Sequence, residues 1–272
     1  MNKTFFGELL ETSRLLTVLY DNLPEEMKAN QLFNKIESYL EKYARFNAIA
    51  PEKAVDIYTD FITNFNKHCK QFIKTGKYPI ENGINKYAPS REEYDVVLLL
   101  SVLFTPHRFR IMELLRKKSV GEKALFIGLG PGLELYLTKE NYEKVEAYDL
   151  SINEFLREEF PAVSINKELY VGQKENYFDA VYLIEILEHL ENPFGLLEVC
   201  KGSMKQGGKI YLTTATDIPQ FDHLYNFAKD HSYFEERIKE MGFSIAYKEM
   251  IAHNYLIMEL KPCNHFYILT KN

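Results

Sequence analysis

Ala124-Leu125-Phe126-Ile127-Gly128-Leu129-Gly130-Pro131-Gly132 is the stretch whose reading decides the fold. An apolar run ends in glycines spaced two apart, the pattern of a buried strand entering a tight turn, with a helix starting near Leu133. Glycine lacks a Cβ, so it permits unusual φ/ψ and lets a ligand come close to the main chain. The helix start adds N–H groups without intrahelical partners. Asp149 follows Gly128 by 21 positions, after the apolar-rich segment 145–148. An acid at the end of the second strand of a βαβ unit is placed to accept hydrogen bonds from two ribose hydroxyls. Glycine turns also arise for steric reasons alone; the spaced acid is what favours a nucleoside-containing cofactor held over a parallel sheet.

Downstream of this stretch, strand and helix patterns alternate, as in a parallel α/β sheet. The apolar runs predict strands at 124–127, 144–148, 162–165, 178–183, 209–213, 244–251 and 265–270, and helices at about 133–137, 153–160, 193–204 and 233–241. Gly207-Gly208 marks the turn before the fifth strand. No helix-length pattern separates the last two strands, so they are expected to pair antiparallel, with Cys263-Asn264-His265 as the turn between them.

Upstream, Ser90-Arg91-Glu92-Glu93 is a capping-box pattern that opens a helix to about Phe104; Pro106 breaks it and a second helix runs to Lys118. Pro79, Asn82, Gly83, Asn85 and Pro89 make 77–90 a turn-rich connection. Tyr78 and Tyr87 within it read as surface packing or as an active-site lid. Residues 2–76 carry apolar positions at helical spacing, including Phe6, Leu9, Leu16, Phe33, Ile36, Tyr39, Leu40, Ile57, Phe61 and Phe65. Pro24 and Pro51 suit helix starts and Gly76 a helix stop. The expectation is three amphipathic helices forming a cap, lid or dimerisation region over 1–88, followed by the α/β domain over 89–272.

Composition narrows the function classes. A net charge of −6 and a pI near 5.7 give no electrostatic footprint for nucleic acid or an anionic membrane. Cys69, Cys200 and Cys263 are scattered without a CxxC pair, which suits a reducing compartment. No signal-peptide pattern or run of about 20 apolar residues stands out, so a cytoplasmic location is expected. The chain has 19 Tyr, 19 Phe and no Trp; many of those rings are expected at surfaces or in a pocket.

Four segments in order, 127–134, 147–150, 178–193 and 207–213, carry a family likeness: the chain resembles the class I S-adenosylmethionine-dependent methyltransferases over about residues 120–272. The 178–193 block separates it from the nicotinamide dehydrogenases, which have no counterpart. The resemblance implies a seven-stranded doubly wound sheet with its last strand antiparallel, preceded here by an all-helical N-terminal region. It implies that Gly128, Leu129, Gly130 and Gly132 border the methionine part of S-adenosyl-L-methionine. Asp149, with Leu150 beside it, would hold the ribose. Residues 167–169 would flank the adenine, and Ile184 and Glu185 would sit by the sulfonium. Phe126 stands where the family usually has an acid, so the cofactor amino group needs another partner. Glu168 is the nearest candidate for the acid that often follows the third strand, or a solvated surface residue.

Methyl transfer from a sulfonium is an in-line displacement, and alignment alone can contribute on the order of 7–11 kcal/mol. A hydroxyl acceptor gains a further ~10²–10⁴-fold from a general base. His223, in the segment that follows the fifth strand, is the candidate base. Glu185, Glu188, His189 and His223 together resemble the metal-binding set of the small-RNA 2′-O-methyltransferases. The Glu-x-x-Glu-His part is also similar to the quinone-biosynthesis O-methyltransferases. Two carboxylates and two imidazoles suit a divalent ion that lowers the pKa of an acceptor hydroxyl; without a metal, the same residues anchor the segment after the fourth strand. His107 and Arg108 reach the pocket from a lid helix or simply pack. His68, His231, His253 and His265 belong to no constellation in the sequence.

The resulting expectation is a cytoplasmic methyltransferase of small-molecule biosynthesis, acting on an O or N acceptor of a small molecule or peptide. Nucleic acid and membrane are not expected as partners, and the helical region is a candidate homodimer surface. The alternative is a catalytically inactive methyltransferase-like binding or scaffold protein, kept open by Phe126. A nicotinamide or other nucleotide enzyme is the third reading. Binding of S-adenosylmethionine separates the three.

Overall fold

Ser13 decides the first departure from the sequence pattern. Its hydroxyl accepts the Leu16 N–H at 3.3 Å and caps a new helix, splitting one apolar series into α1 (Phe5–Thr12) and α2 (Arg14–Asp21). A single turn, α3 (Glu25–Lys28), follows Pro24, which occupies the N-cap rather than the first helical position. Then come α4 (Gln31–Phe46) and α5 (Pro51–Thr75), the latter closed by Gly76 at φ 69°. Among its described residues the helical region has five α-helices where periodicity predicts three, because a cap is local hydrogen bonding that hydrophobic spacing does not register. The structure, a computed structural model, describes residues 4–80, 87, 89–119, 121–253 and 260–272. Asn82, Gly83 and Asn85 of the predicted connection lie outside the described residues.

The predicted capping box is present: Ser90 and Glu93 exchange side-chain-to-backbone hydrogen bonds at the start of α6 (Arg91–Phe104). After Pro106, α7 (Pro106–Lys118) leads to the sheet. The strands are β1 (Lys123–Ile127), β2 (Lys144–Tyr148), β3 (Ser164–Asn166), β4 (Phe178–Leu183), β5 (Met204–Thr216), β6 (Phe243–Ala252) and β7 (Cys263–Lys271). They form a seven-stranded sheet in the order β3-β2-β1-β4-β5-β7-β6, with β7 antiparallel to both neighbours. The connecting helices are α8 (Leu133–Thr138), α9 (Glu154–Glu159), α10 (Pro193–Ser203) and α11 (Ser232–Glu240).

Two boundaries differ in a way that matters for the site. Strand β5 starts at Met204 and carries Gly207-Gly208 within it, at a register shift against β4. Cys263-Asn264-His265 is not a hairpin turn; it opens β7 and pairs with both β5 and β6. Polar residues read as turn formers are accommodated here because strands on both sides satisfy the backbone. Asn264 is thereby fully buried inside the sheet.

One apolar core runs from the N-terminal helices through α6 and α7 onto one face of the sheet, and a second covers the opposite face beneath α10 and α11. The first core explains Phe126. Its ring stacks on Tyr182 at 4.2 Å, and Tyr182 stacks on Tyr211 at 4.9 Å, forming an aromatic ladder across neighbouring strands. Burying a ring of this size contributes roughly 1.5–3 kcal/mol, whereas an acid here would be desolvated. Among the described residues, no helix is long and apolar enough to cross a membrane.

Candidate active site

The site begins where β1 stops. The Gly128 N–H bonds the Tyr148 carbonyl at 2.9 Å, extending the β1–β2 ladder by one step before the chain turns. Gly128 has φ 75°, and a Cβ there would stand 1.9 Å from Ile186 Cδ1, so only glycine fits. Asp149 braces the turn. Its Oδ2 accepts the Leu129 N–H at 2.8 Å and the Gly130 N–H at 3.3 Å, and its Oδ1 accepts the Ser151 N–H at 2.9 Å. Arg91, at the start of α6, donates to the Gly130 carbonyl at 2.6 Å and lies 3.5 Å from Asp149 Oδ2. Behind it, Arg91 is held by the buried Asp95 at 3.0 Å, which also accepts the Tyr43 hydroxyl at 2.9 Å. Burial pushes the Asp95 carboxyl up to about 6, and Arg91 opposes that shift.

A cavity of about 770 Å³ opens over this turn. Its wall includes Gly128, Leu129, Gly130, Asp149, Leu150, Glu168, Leu169, Ile184 and Glu185, and also Glu188, His189 and His223. Residues predicted separately from five stretches thus converge on one space of the size that holds a cofactor-sized ligand. Gly132 is not on that wall. At φ 77° it begins α8, and a Cβ there would meet Leu156 at 2.5 Å and the Tyr39 hydroxyl at 3.1 Å, so its task is helix packing. The Tyr39 hydroxyl donates to the Pro131 carbonyl at 2.7 Å, tying α4 to the glycine turn. Glu134, on the first turn of α8, lines the same cavity beside Gly128 and Leu129. Burial raises its carboxyl pKa, and Arg108 opposes the rise.

At the other end of the cavity Glu185 follows β4 with φ 55°, its N–H bonded to the Thr213 hydroxyl at 2.7 Å. Its carboxylate is pinned between Arg108 of α7 at 2.9 Å and the Asn264 amide at 2.8 Å. Asn264 in turn meets His253 Nε2 at 2.5 Å, and the His253 ring stacks on His107 at 3.6 Å. Burial, the largest cause, pulls the His107 imidazole well below its usual range and His253 down to about 3, so both are neutral. The sequence offers no signal for this chain of contacts, because its members are 77 and 79 positions apart across the Glu185 pairings. His231 and His265 also meet, with ring centroids 3.7 Å apart, but they do not line this cavity.

The predicted metal set assembles in part. Glu188, His189 and His223 bring ligand atoms within 4.8 Å of one another. Glu185 is not among them. The segment after β4 is a turn and a short 3-10 helix (Leu187–His189), so α-helical spacing does not apply, and Arg108 and Asn264 already hold the Glu185 carboxylate. Glu188 is fully buried and neither of its carboxylate oxygens has a hydrogen-bond partner; His223 Nδ1 is likewise buried and unpartnered. Burial, then repulsion from Glu185, pushes the Glu188 carboxyl well above its usual range. Burial, then His189, pulls the His223 imidazole well below its own. His189 Nδ1 already meets the Asp222 carbonyl at 3.3 Å, so its Nε2 would be the ligand; one carboxylate and two imidazoles fit a divalent transition ion.

Residues 125–212 match the family described as the methyltransferase domain. Two curated relatives are ubiquinone biosynthesis O-methyltransferases, from Idiomarina loihiensis and Xanthomonas axonopodis pv. citri. Each is 27% identical, over 103 and 115 residues respectively, covering 35% and 38% of this chain and 42% and 47% of the relatives. The chain thus spans less than half the length of the curated relatives it matches. Among solved structures, the 1,6-didemethyltoxoflavin-N1-methyltransferase of Burkholderia thailandensis, with bound 1,6-didemethyltoxoflavin and S-adenosylhomocysteine, shares the fold. It aligns with TM-score 0.52 at 14% identity over 69% of this chain and 93% of that one. With the sheet order, the glycine turn and the 178–193 block in place, residues 125–212 carry a methyltransferase domain on the sheet of the class I S-adenosylmethionine-dependent methyltransferase fold.

Proposed function

We propose that this protein transfers the methyl group of S-adenosyl-L-methionine to an O or N acceptor on a small molecule, in a biosynthetic setting, with residues 1–88 closing over the acceptor. The observation that carries the reading is the single cavity that joins the glycine turn and Asp149 at one end to Glu185 and His223 at the other. The relatives' names fit an acceptor of small size. The net charge of −6 argues against nucleic acid.

In this reading Asp149 receives the ribose hydroxyls at the cost of part of its hold on the turn. Glu134 takes the cofactor amino group in place of the acid absent at Phe126, since it is a carboxylate on the same wall. Glu185, fixed by Arg108 and Asn264, bounds the sulfonium end. His223, buried and neutral, is positioned to accept the proton of an acceptor hydroxyl as the carbon–oxygen bond forms. Alternatively, a divalent ion held by Glu188, His189 and His223 would lower the pKa of that hydroxyl, with His223 then serving as a ligand and the proton passing to solvent.

Titration calorimetry with S-adenosylhomocysteine tests the proposal. Saturable one-site binding is expected; a folded protein that binds neither it nor S-adenosylmethionine overturns the enzyme reading and leaves the scaffold alternative. For the metal, loss of methyl transfer with a strong chelator and return with Zn²⁺ or Mn²⁺ is expected. Full activity in the chelator ends that part.

A further inference from the structure

A second cavity, of about 290 Å³, lies under the N-terminal helices. It shares Leu98, Arg108, Glu185, Gln220 and His223 with the larger one, so the two meet at the end assigned to the sulfonium. We propose that this second cavity is the acceptor seat, and that it takes an uncharged hydroxyl compound, a phenol or similar alcohol, whose apolar body lies along α5. The inference rests on the methyltransferase reading and deepens it.

Three observations select that chemistry. The first is the wall. Tyr58, Phe61, Ile62 and Phe65 occupy one face of α5 at helical spacing, joined by Leu19 from α2 and Phe104 from α6. The rings form a continuous shelf: Tyr58 stacks on Phe61 at 6.3 Å, Phe61 on Phe65 at 6.1 Å, and Tyr58 on Phe104 at 5.8 Å. Such a shelf gains free energy by covering apolar rings or chains.

The second is the charge at the polar end. The cavity's cation, Arg108, already pairs with Glu185 at 2.9 Å. The remaining polar neighbours there include His107 and His253, both neutral through burial. A carboxylate or phosphate entering this space finds its counter-charge already taken and loses its hydration. A protonated amine likewise finds the Glu185 carboxylate already paired with Arg108 and Asn264 and loses its hydration. An uncharged hydroxyl avoids both penalties and finds imidazole and amide partners. The third is size: 290 Å³ is at the small end of ligand pockets and has no room for a peptide segment.

The reaction balances without a further reagent. The hydroxyl oxygen forms a bond to the methyl carbon as the sulfonium–methyl bond breaks, its electron pair passing to sulfur to give the thioether. The hydroxyl proton is released from the oxygen to solvent.

The test is calorimetry on the full chain saturated with S-adenosylhomocysteine, using 4-hexylphenol, phenol, 4-hydroxybenzoate and hexylamine as probes. We expect 4-hexylphenol to bind at least tenfold tighter than each of the others, and tritium to pass to it from methyl-labelled S-adenosylmethionine. Phe61→Glu should cost at least tenfold in 4-hexylphenol affinity while leaving S-adenosylhomocysteine binding intact. Phe65→Glu repeats the measurement should Phe61→Glu fail to fold. Equal or tighter binding of 4-hydroxybenzoate or hexylamine overturns the seat, as does a folded wall variant with unchanged 4-hexylphenol affinity. Absence of S-adenosylhomocysteine binding in the parent protein overturns the methyltransferase reading itself, so the two failures are distinguishable.

Discussion

The two halves of the cleft are made of different material. The half we assign to the cofactor is organised around main chain, the turn at 128–130, braced by the Asp149 carboxylate through the N–H groups of Leu129 and Gly130. The half we assign to the acceptor is lined by rings from α5 and α6, over a polar end built from α7, β7 and the segments that follow β4 and β6. A backbone surface tolerates change poorly because its shape depends on φ values that only glycine adopts freely. A side-chain surface can be redrawn one residue at a time. The difference predicts that cofactor binding and acceptor chemistry respond to separate sets of substitutions.

The sharpest way to break that separation is His223→Ala. The expected outcome is a loss of about 10²–10⁴-fold in methyl transfer, measured with labelled cofactor, and an S-adenosylhomocysteine affinity that stays the same. A parallel fall in cofactor affinity would show that the halves are not independent. Next is Asp149→Ala, which removes a charged acceptor from both ribose and turn. Cofactor affinity should fall about 100-fold, on the order of 3 kcal/mol, without unfolding seen by circular dichroism. Unchanged affinity would sink the ribose assignment.

A smaller effect, about tenfold in cofactor affinity by calorimetry, is expected of Glu134→Gln if Glu134 replaces the acid absent at Phe126. No change there would return the amino group to an unassigned partner. The mildest effect is on the acid limb of stability. Burial holds the folded-state pKa of His253 at about 3, below its ordinary 6.5. Between those values the unfolded chain binds the extra proton, so the contribution of His253 is complete above pH 6.5 and lost as pH falls toward 3. Thermal melts from pH 7 to 4 should show that decline, and His253→Gln should make it shallower; an unchanged slope would mean the ring is not held neutral.

How much of this was legible in the chain follows the same division. The glycine turn, Asp149 and the strand order are written in short-range patterns: apolar runs, a fixed spacing and residues with unusual backbone freedom. Gly128 and Gly130 are where the sequence places them, at the cavity. Gly132 is not, because the same freedom serves α8 packing against Leu156 and Tyr39. Periodicity finds the aromatic positions of α5 but not whether they fill a core or face a hollow, which depends on what α2 and α6 bring to the same side.

The sequence by itself determined the seven-stranded sheet, the position of the glycine turn and the acid beside it, since each rests on local stereochemistry. Only the tertiary structure decided that Glu185 pairs with Arg108 and Asn264 rather than joining Glu188, His189 and His223. It alone put Phe126 in the Tyr182–Tyr211 ladder and made a chamber of the cap. Those outcomes turn on desolvation and packing among residues far apart in the chain, and a charged or aromatic side chain carries no local mark of the partner it will meet.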